Sequence, residues 1–324
     1  MKAVICRQYG PPELLAVAET PPPEAGHGEV VVKVAACGVS FADSLLVQRK
    51  YQLRPELPFI PGGEVAGEVR SIGAGVTGFR PGDRVAGFGQ LGGFAEVTCL
   101  KAAQLMPIPP GIGFAEAAAF PLNYATAYHA LRNRAALCAG EDLLVLGGSG
   151  GLGLAAIQLG KAMGARVITA ASTQQKLDLC RQHGVDQVIN YEKNSLRDAI
   201  RELCGDRGVD VVFDPVGGHY AEPAVQSMAW KGRYLVIGFA VGEIPRIPLN
   251  LVLLKGCAIL GFSVGAFIHH EPEAARINTR MLGTWWREGR LRPHIGATYP
   301  LARAAEALAD IASRRVVGKL VLLP

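Results

Sequence analysis

The residues best suited to chemistry form a glycine-rich turn near the middle of the chain. Residues 148–153 have the G-x-G-x-x-G spacing of dinucleotide-binding folds. The turn follows an apolar run, Leu143–Leu146, that predicts a buried strand, and it precedes a helical pattern of apolar residues. Glycine permits a tight turn and lets backbone N–H groups approach a pyrophosphate at the helix N-terminus. The turn therefore predicts a dinucleotide phosphate site made by Gly148, Ser149, Gly150, Gly151, Leu152 and Gly153.

The end of the next predicted strand, Arg166–Ala170, indicates which dinucleotide would bind. Residues 170–176 contain no acidic residue that could accept the ribose 2′-hydroxyl of NAD. Ser172 can donate a hydrogen bond to a 2′-phosphate, and Lys176 can supply a positive charge. The pair favours NADPH over NADH. The alternative is that Ser172 only caps the next helix and that Lys176 is an ordinary solvated lysine.

The same turn also matches the G-x-S-x-G pattern of a serine-hydrolase nucleophile, with Ser149 at its centre. Strand, turn and helix suit that motif too. The acid and the base of a triad would follow in the right order from Asp214 and then His269, His270 or His294. Gly153 and the strand end suited to a phosphate have no role in a hydrolase, so the dinucleotide site is the stronger interpretation.

Length, composition and charge are those of a soluble α/β enzyme. The 324 residues are enough for two domains with separate cores, and 49% of them are hydrophobic. No apolar run reaches the roughly 18 residues of a membrane span, and Met1–Arg7 has the pattern of a strand rather than of a targeting peptide. The net charge of +5 is spread along the chain, which does not argue for nucleic-acid binding. We expect a cytoplasmic protein with no membrane partner.

The seven cysteines are far apart and form no C-x-x-C pair. This spacing indicates neither a zinc ribbon nor a redox-active pair. The count is odd, and several of the cysteines stand in apolar, strand-like runs. We expect buried, reduced thiols.

The pattern of the sequence changes twice along the chain. Residues 1–120 are short β-type runs broken by Gly and Pro, which is typical of an irregular barrel or sandwich. Strand and helix patterns alternate over 121–264, which predicts a parallel, doubly wound sheet. Two helical stretches follow, at 273–288 and 301–314, and a last strand at 318–323 could return to the first domain. The fold class is therefore α/β with two domains.

Over its whole length, the chain resembles the medium-chain dehydrogenase/reductase superfamily, in its zinc-free quinone oxidoreductase branch. The segments that carry the resemblance are 1–4, 37–43, 61–67, 81–85, 93–96, 147–153, 214–217 and 318–319. The resemblance implies a GroES-like β-barrel domain over 1–120, completed by 265–324. It also implies a Rossmann domain that binds NADPH over 121–264.

The resemblance also indicates whether zinc is expected. Zinc alcohol dehydrogenases of the superfamily have a cysteine at the position of Ser40 and a histidine at the position of Gly63. Residues 117–126, where another ligand would stand, contain neither Cys nor His. Catalytic zinc needs three protein ligands and an open position, so we expect no metal. The implied activity is hydride transfer from NADPH to a quinone or an α,β-unsaturated carbonyl, with no side chain assigned as acid or base.

The resemblance implies further site residues and agrees with some already named. The candidates for the substrate pocket are Ser40, Leu45, Tyr51, Asn123, Tyr124 and Phe239. The cofactor contacts outside the glycine-rich turn are Thr126, Ser172, Lys176, Tyr191, Gly238, Phe239, Ala240, Phe262, Ser263, Val264 and Lys319. Ser40 and Leu45 stand where relatives often have asparagine and, in some, tyrosine, so the pocket is expected to be more apolar than in small-quinone enzymes. The aromatic candidates could equally be ordinary core or rim residues.

Two further functions stay open. An enoyl thioester reductase of the same superfamily would need a basic patch for the phosphates of its carrier, and Arg49, Lys50 and Arg54 form the only local cluster. A cofactor-bound structural or RNA-binding protein with little turnover is the other, although no RNA motif supports it.

A homodimer is expected from apolar stretches near the end of the second domain. These are Leu251–Leu254 and Ala258–Phe262. An edge strand this apolar would promote aggregation if it were left bare. Relatives pair such edges across a two-fold axis.

Overall fold

The computed structural model describes residues 1–313 and 315–324. It divides into two compact units, one of Met1–Leu122 with Arg292–Pro324 and one of Asn123–Leu291. The strands are β1 (Lys2–Ile5), β2 (Ala16–Glu19), β3 (Glu29–Val39), β4 (Glu64–Ile72), β5 (Arg84–Phe88), β6 (Val97–Lys101), β7 (Leu105–Pro107), β8 (Asp142–Leu146), β9 (Arg166–Ala171), β10 (Gln187–Asn190), β11 (Val209–Asp214), β12 (Met228–Val236), β13 (Ala258–Gly261), β14 (Ile295–Pro300) and β15 (Lys319–Leu323). The α-helices are α1 (Phe41–Val47), α2 (Phe114–Ala118), α3 (Pro121–Tyr128), α4 (Gly151–Ala162), α5 (Gln174–Gln182), α6 (Leu196–Cys204), α7 (Ala221–Gln226), α8 (Leu249–Lys255), α9 (Val264–His270), α10 (Pro272–Arg287) and α11 (Ala304–Ala312).

The first unit is built around a seven-stranded sheet in the order β14-β15-β3-β4-β5-β7, with β6 also paired to β3. The long central strand β3 has alternate valines, Val30, Val32 and Val34, whose side chains point to one face and pack in the unit's core. β3 ends at Val39, and α1 begins two residues later with Ser40 as its N-cap. The sheet therefore places Ser40 and the first turn of α1 at the end of its long central strand.

The second unit contains six parallel strands in the order β10-β9-β8-β11-β12-β13. Leu143–Leu146 of β8 is fully buried, as its apolar run predicts. The chain moves outward in one direction from β8 to β10 and in the other from β11 to β13. Ligands of such sheets bind at the carboxyl ends of the strands where the order reverses, between β8 and β11. The predicted doubly wound parallel sheet is confirmed.

Two boundaries differ from the prediction. The second unit continues to Leu291 rather than ending near 264, because α10 packs into it through Leu282 and Trp286, which are 3% and 1% exposed. The predicted helix 301–314 begins as a 3₁₀ turn and is α-helical only over Ala304–Ala312. Its last residue, Arg314, lies outside the described residues. Over the residues that the structure describes, no helix is long and apolar enough to cross a membrane.

Candidate functional site

The glycine-rich turn connects β8 to α4 and is closely packed at two of its glycines. A Cβ atom on Gly148 would lie 1.9 Å from Thr169 Oγ1, and one on Gly153 would lie 2.4 Å from the Gly147 carbonyl oxygen. Gly147 itself has φ +63°, in the left-handed region that glycine adopts at little cost. These glycines are therefore required for the close approach of the strand to the helix.

Gly150 has a different environment. It is the N-cap of the twelve-residue helix α4, and a Cβ atom there would meet only the Gly147 carbonyl oxygen, at 3.8 Å. The space in front of the helix N-terminus is therefore open. The first N–H groups of a helix carry partial positive charge and lack intrahelical partners. The open space at Gly150 thus fits a phosphate group, as the spacing predicts.

Ser172 and Lys176 lie together at the carboxyl end of β9. The N-cap of α5 is Thr173, whose hydroxyl accepts a hydrogen bond from the Lys176 N–H at 3.3 Å. Lys176 Nζ donates to Ser172 Oγ at 3.3 Å. The alternative that Ser172 merely caps the helix is wrong, because its neighbour does so. Both side chains are partly exposed, so a phosphate could contact the hydroxyl and the ammonium at once.

Tyr191 is next to this strand end because its N–H donates to the Ala171 carbonyl at 3.3 Å. Its ring centroid lies 4.2 Å from that of Tyr220. Tyr191, Tyr220 and His219 line a cavity of about 360 Å³. The three residues implied for the adenosine phosphate, Ser172, Lys176 and Tyr191, therefore occur at adjacent strand ends of one sheet.

Asp214 links the turn after β11 to the neighbouring strand β12 through hydrogen bonds. Its Oδ1 accepts hydrogen bonds from the Val216 and Gly217 N–H groups at 2.7 and 2.9 Å, and its Oδ2 accepts one from the Tyr234 hydroxyl. Burial raises the pKa of Asp214, although these hydrogen bonds oppose the shift. The carboxylate is 2% exposed. Both of its oxygens are committed to the fold.

This arrangement argues against the hydrolase alternative. The hydrogen bonds of the buried Asp214 carboxyl group come from Val216, Gly217 and Tyr234 rather than from a histidine. Ser149 is also not in a strained turn, since the non-glycine residues with positive φ in the described chain are Arg49, Ala136 and Lys231. Neither the predicted acid nor the predicted nucleophile has the geometry of a triad.

The segment after β12 folds back onto the Asp214 turn. The Gly238 N–H donates to the Asp214 carbonyl at 3.3 Å, and the Ala240 N–H donates to the Pro215 carbonyl at 3.0 Å. Gly238 and Phe239 border a cavity of about 220 Å³ whose other walls are mainly aliphatic, including Val236, Ile244, Pro245, Ile247 and Ile259. The residues implied for the nicotinamide therefore adjoin an apolar space.

Phe262, Ser263 and Val264 follow the edge strand β13. Ser263 is the N-cap of α9 and accepts a hydrogen bond from the Ala266 N–H at 3.3 Å. These three residues thus form the strand-to-helix connection at the same edge of the sheet as the glycine-rich turn.

Tyr124, Asn123 and Thr126 are buried within α3. The Tyr124 hydroxyl donates to Gln158 Oε1 on α4 at 3.1 Å, and the side chain is 1% exposed. Tyr124 is therefore a core residue of the second unit rather than a ring on which an acceptor stacks. Asn123 and Thr126 are 8% and 7% exposed.

In the first unit, Ser40 and Asp43 form a capping box at the start of α1. Ser40 Oγ donates to Asp43 Oδ2 at 2.8 Å, and the Ser40 N–H donates to the same oxygen at 2.8 Å. Burial raises the pKa of Asp43 to about 6, although the Ser40 hydrogen bonds and the Lys319 charge oppose the shift. Tyr51 is partly buried, and its pKa is raised by burial and by the Asp43 charge. Leu45, one turn further along α1, is also partly buried.

Lys319 does not have the predicted role. Its ammonium forms an ion pair with Glu64, and the two side chains are 5% and 1% exposed. The other Glu64 oxygen accepts the Leu122 N–H at 3.0 Å. Lys319 is thus enclosed in the first unit, where it balances a buried carboxylate instead of reaching a cofactor. A pairing between residues so far apart in the chain leaves no local sequence signal.

No metal-ligand cluster is found among the described residues: no three His, Cys, Asp or Glu side chains converge as ligands would. Cys37 lies near Asp43 and Glu64, and burial and these two charges raise its pKa well above the ordinary value. Its thiol is therefore protonated.

The comparisons with known proteins agree with this architecture. The model of the alcohol dehydrogenase GroES-like domain matches residues 26–110, and that of the zinc-binding dehydrogenase family matches 151–279. The chain is 38% identical over 324 residues to a quinone oxidoreductase-like protein 2 homolog of Nematostella vectensis, covering 99% of this chain and 88% of that one. It is 33% identical to the quinone oxidoreductase of Rattus norvegicus, covering 100% and 98% of the two chains.

Solved structures give the same result. The Escherichia coli quinone oxidoreductase complexed with NADPH superposes with a TM-score of 0.92 at 29% identity, and each chain is covered in full. The chain belongs to the medium-chain dehydrogenase/reductase superfamily of oxidoreductases. Within it, the chain belongs to the zinc-free quinone oxidoreductase branch, which confirms the family predicted from the sequence.

Proposed function

We propose that this protein is an NADPH-dependent oxidoreductase that reduces quinones or α,β-unsaturated carbonyls. The observation that carries the proposal is the carboxyl edge of the parallel sheet. There the open glycine-rich turn, the Ser172–Lys176 pair and the apolar cavity at Phe239 occur on strands of one sheet. Relatives with the same fold, from Escherichia coli and Thermus thermophilus, are quinone oxidoreductases solved in complex with NADPH.

The residues present fit NADPH at three points. Gly150 and the N-terminus of α4 would hold the diphosphate, and Ser172, Lys176 and Tyr191 would hold the 2′-phosphate. The segments 238–240 and 262–264 would hold the nicotinamide. When bound, NADPH supplies the hydride.

The remaining work of the chain is to orient the acceptor, exclude water and stabilise negative charge on its oxygen. A quinone or an enone is electrophilic without a metal ion. The aliphatic walls beside Phe239 suit an apolar acceptor. No dedicated acid is needed, because water can protonate a stabilised oxyanion.

Ser40 illustrates this point. Its hydroxyl donates to Asp43, so it presents lone pairs rather than a proton while Asp43 is ionised. Ser40→Ala and Tyr51→Phe should therefore reduce kcat with a good quinone by less than about 100-fold, the lower end of what general acid catalysis contributes. A loss above a thousandfold with NADPH affinity intact would show that a dedicated proton donor exists.

The acceptor class is tested by NADPH oxidation with a panel of quinones, enones and enoyl thioesters. Turnover with quinones or simple enones is expected. Turnover confined to enoyl thioesters would favour the rival reductase instead. In the structure the basic residues that this rival needs make local contacts: Arg49 lies over the Tyr9 ring at 5.7 Å, and Lys50 Nζ donates to Gln48 Oε1 at 2.8 Å. Binding of NADPH without turnover of any acceptor would favour the structural alternative.

We also propose that the protein is a homodimer. No residue of α8 is buried, although five of its seven residues are leucine or valine. Leu249, Leu253 and Leu254 are 78%, 77% and 70% exposed. The adjacent edge strand β13 has only one paired side in the described chain. Such a surface matches an isologous interface, which covers the edge and the apolar helix together.

A further inference from the structure

The helix α3 continues into a π-helical segment, His129–Arg134, in the second unit. The Ala135 N–H donates to the Ala130 carbonyl at 2.9 Å, a bond that spans five residues instead of four. π-helical turns are rare and occur frequently at functional sites. The segment therefore requires an explanation in terms of what its side chains contact.

Residues of this segment make three contacts with α9 and with the connection between β13 and α9, which comprises Gly261–Val264. The His129 ring stacks on Phe267, with centroids 3.5 Å apart and planes 13° apart, and it lies 5.2 Å from the Phe262 ring. Arg134 Nε donates to the Gly261 carbonyl at 3.1 Å. Two residues of the π-helical segment thus hold both ends of the connection.

The His129 ring is itself fixed. Asn133 Oδ1 accepts a hydrogen bond from Asn278 Nδ2 of α10 at 2.7 Å and lies 3.2 Å from His129 Nδ1. An amide oxygen only accepts, so Nδ1 carries the proton. Burial lowers the pKa of His129, and the side chain is 4% exposed. The imidazole is therefore a neutral, buried ring of defined orientation.

The connection that it supports is mostly exposed. Gly261 and Ser263 are on the surface, while Phe262 is partly buried and Phe267 is 6% exposed. The backbone that would face a ligand is thus held from its buried side by aromatic side chains. A segment with few buried contacts of its own depends on such an anchor for a single conformation.

We propose that His129 is a positioning residue for hydride transfer, which holds the connection Gly261–Val264 in the conformation that the nicotinamide requires. The inference rests on the proposed function, in which Phe262, Ser263 and Val264 contact the nicotinamide. The adenosine end has separate contacts at Gly150, Ser172 and Lys176. Loss of His129 should therefore misplace the reacting ring without releasing the cofactor.

The test compares three variants. His129→Ala removes the stack, and His129→Phe keeps the aromatic ring but loses the N–H to Asn133. Tyr128→Ala is the matched control, because Tyr128 is the neighbouring residue, is 6% exposed, and packs at 5.7 Å on Trp285 of α10 rather than on the connection. Each is measured for kcat with saturating NADPH and a good quinone, for NADPH affinity by fluorescence titration, and for amide hydrogen exchange over residues 261–270.

In His129→Ala, kcat is expected to fall on the order of ten- to a hundredfold, the effect of an approximately 1 Å misplacement. The dissociation constant of NADPH should change less than about threefold, and exchange over 261–270 should become faster. His129→Phe should recover part of kcat, and Tyr128→Ala should leave both kcat and the exchange of this segment near those of the wild type.

Equal losses of kcat in His129→Ala and Tyr128→Ala, or unchanged exchange over 261–270 in His129→Ala, would overturn the inference. A parallel loss of NADPH affinity would also overturn it, since His129 would then serve binding in general. Failure of the proposed function would give a different result, because none of the acceptors tested would then support NADPH oxidation by the wild type. The exchange measurement still decides the positioning role in that case.

Discussion

At the scale of single residues, the two units place lysines in opposite environments. Lys176 is partly exposed beside a hydroxyl at a strand end, where its charge can serve a ligand. Lys319 is buried against Glu64, where its charge serves the fold. Removing one partner of a buried pair leaves an uncompensated charge and is strongly destabilising. The same residue type therefore has a proposed binding role in one unit and a structural role in the other.

Lys176→Ala should weaken NADPH binding by on the order of 1–3 kcal/mol, because a charge-assisted contact to the 2′-phosphate is lost. Binding of NADH, which lacks this phosphate, should change little. Arg181→Ala is the matched control, since Arg181 is a cation of the same helix that pairs with Asp178 at 2.6 Å. Fluorescence titration of both cofactors measures the effect. Equal affinity of the wild type for NADPH and NADH would contradict the assigned site.

The raised pKa of Asp43 predicts that the free energy of unfolding depends on pH. Its pKa is raised to about 6 in the folded state, so the folded protein binds this proton more tightly than the unfolded chain does. The stability that the group contributes is therefore present below about pH 4 and is lost as the pH rises through about 6. Asp43→Asn removes this dependence. Relative to the wild type, its free energy of unfolding should rise by on the order of 2–3 kcal/mol between pH 4 and pH 7.

Urea unfolding at both pH values measures this difference. A difference between Asp43→Asn and the wild type that stays constant from pH 4 to pH 7 would show that burial does not shift this carboxyl. Loss of the capping contacts to Ser40 lowers the stability of the variant at every pH, so only the change with pH is diagnostic.

At the scale of elements, the glycines of the turn between β8 and α4 differ in their surroundings: two are closely packed, and one faces the space proposed for a phosphate. Gly148 and Gly153 contact neighbouring atoms so closely that a Cβ atom cannot fit. Gly150 lies before open space. A binding defect at Gly150 can therefore be distinguished from a folding defect at the other two positions.

Gly150→Val should fold with a Tm within a few degrees of the wild type and should lose NADPH binding, because the side chain fills the space at the helix N-terminus. Gly153→Ala is the comparison: its Cβ atom would lie 2.4 Å from the Gly147 carbonyl oxygen, so a large drop in Tm is expected. Thermal unfolding and titration with NADPH separate the two effects. Retained NADPH affinity in a folded Gly150→Val protein would argue against a phosphate site there.

The elements with local signals were predictable from the sequence. The apolar run of β8, the glycine spacing after it and the alternation of strand and helix patterns led to the parallel sheet. The proposal of Ser172 and Lys176 as phosphate contacts also rests on a local signal, because the absence of an acid is visible in a short segment. The structure adds what the segment could not show, namely that Thr173 caps α5 and leaves the Ser172 hydroxyl beside Lys176.

What could not be predicted depends on contacts between distant residues. The resemblance implies a cofactor contact for Lys319, and nothing near it in the chain indicates that it pairs with the buried Glu64. Tyr124 is a candidate for the substrate pocket in the sequence, where an aromatic residue gives no sign that its ring lies in the core. No residue pattern in the sequence marks the π-helical segment at His129. Its contacts with the β13–α9 connection are therefore visible only in the packed structure.

At the scale of the whole molecule, the surface of α8 is the clearest sign of a partner. Trp230 is 72% exposed and adjoins the end of this helix, since a Cβ atom on Gly256 would meet its ring. Contiguous exposed apolar side chains mark an interaction surface rather than ordinary solvent exposure. A second copy of the chain would cover this surface and the β13 edge at once.

Leu253→Asp should convert the expected dimer to a monomer, because a carboxylate at the centre of an apolar interface loses its hydration without gaining a partner. Static light scattering at micromolar concentration measures the mass. Ile277→Asp on α10, where the side chain is 55% exposed, is the control and should keep the mass of the wild type. A wild-type protein that is monomeric at this concentration would refute the dimer.

The first unit is assembled from two segments that flank the second unit in sequence, and this sets the order in which a ribosome can complete the two units. β15 pairs with β3, and Lys319 neutralises Glu64, yet residues 292–324 are synthesised after the whole of the second unit. The second unit is uninterrupted in sequence, so it can close while the first still has an unpaired strand edge and a buried carboxylate without its counter-charge. Translation therefore finishes the second unit first. A nascent chain that stalls soon after Leu291 has the complete sequence of the second unit but an unfinished barrel.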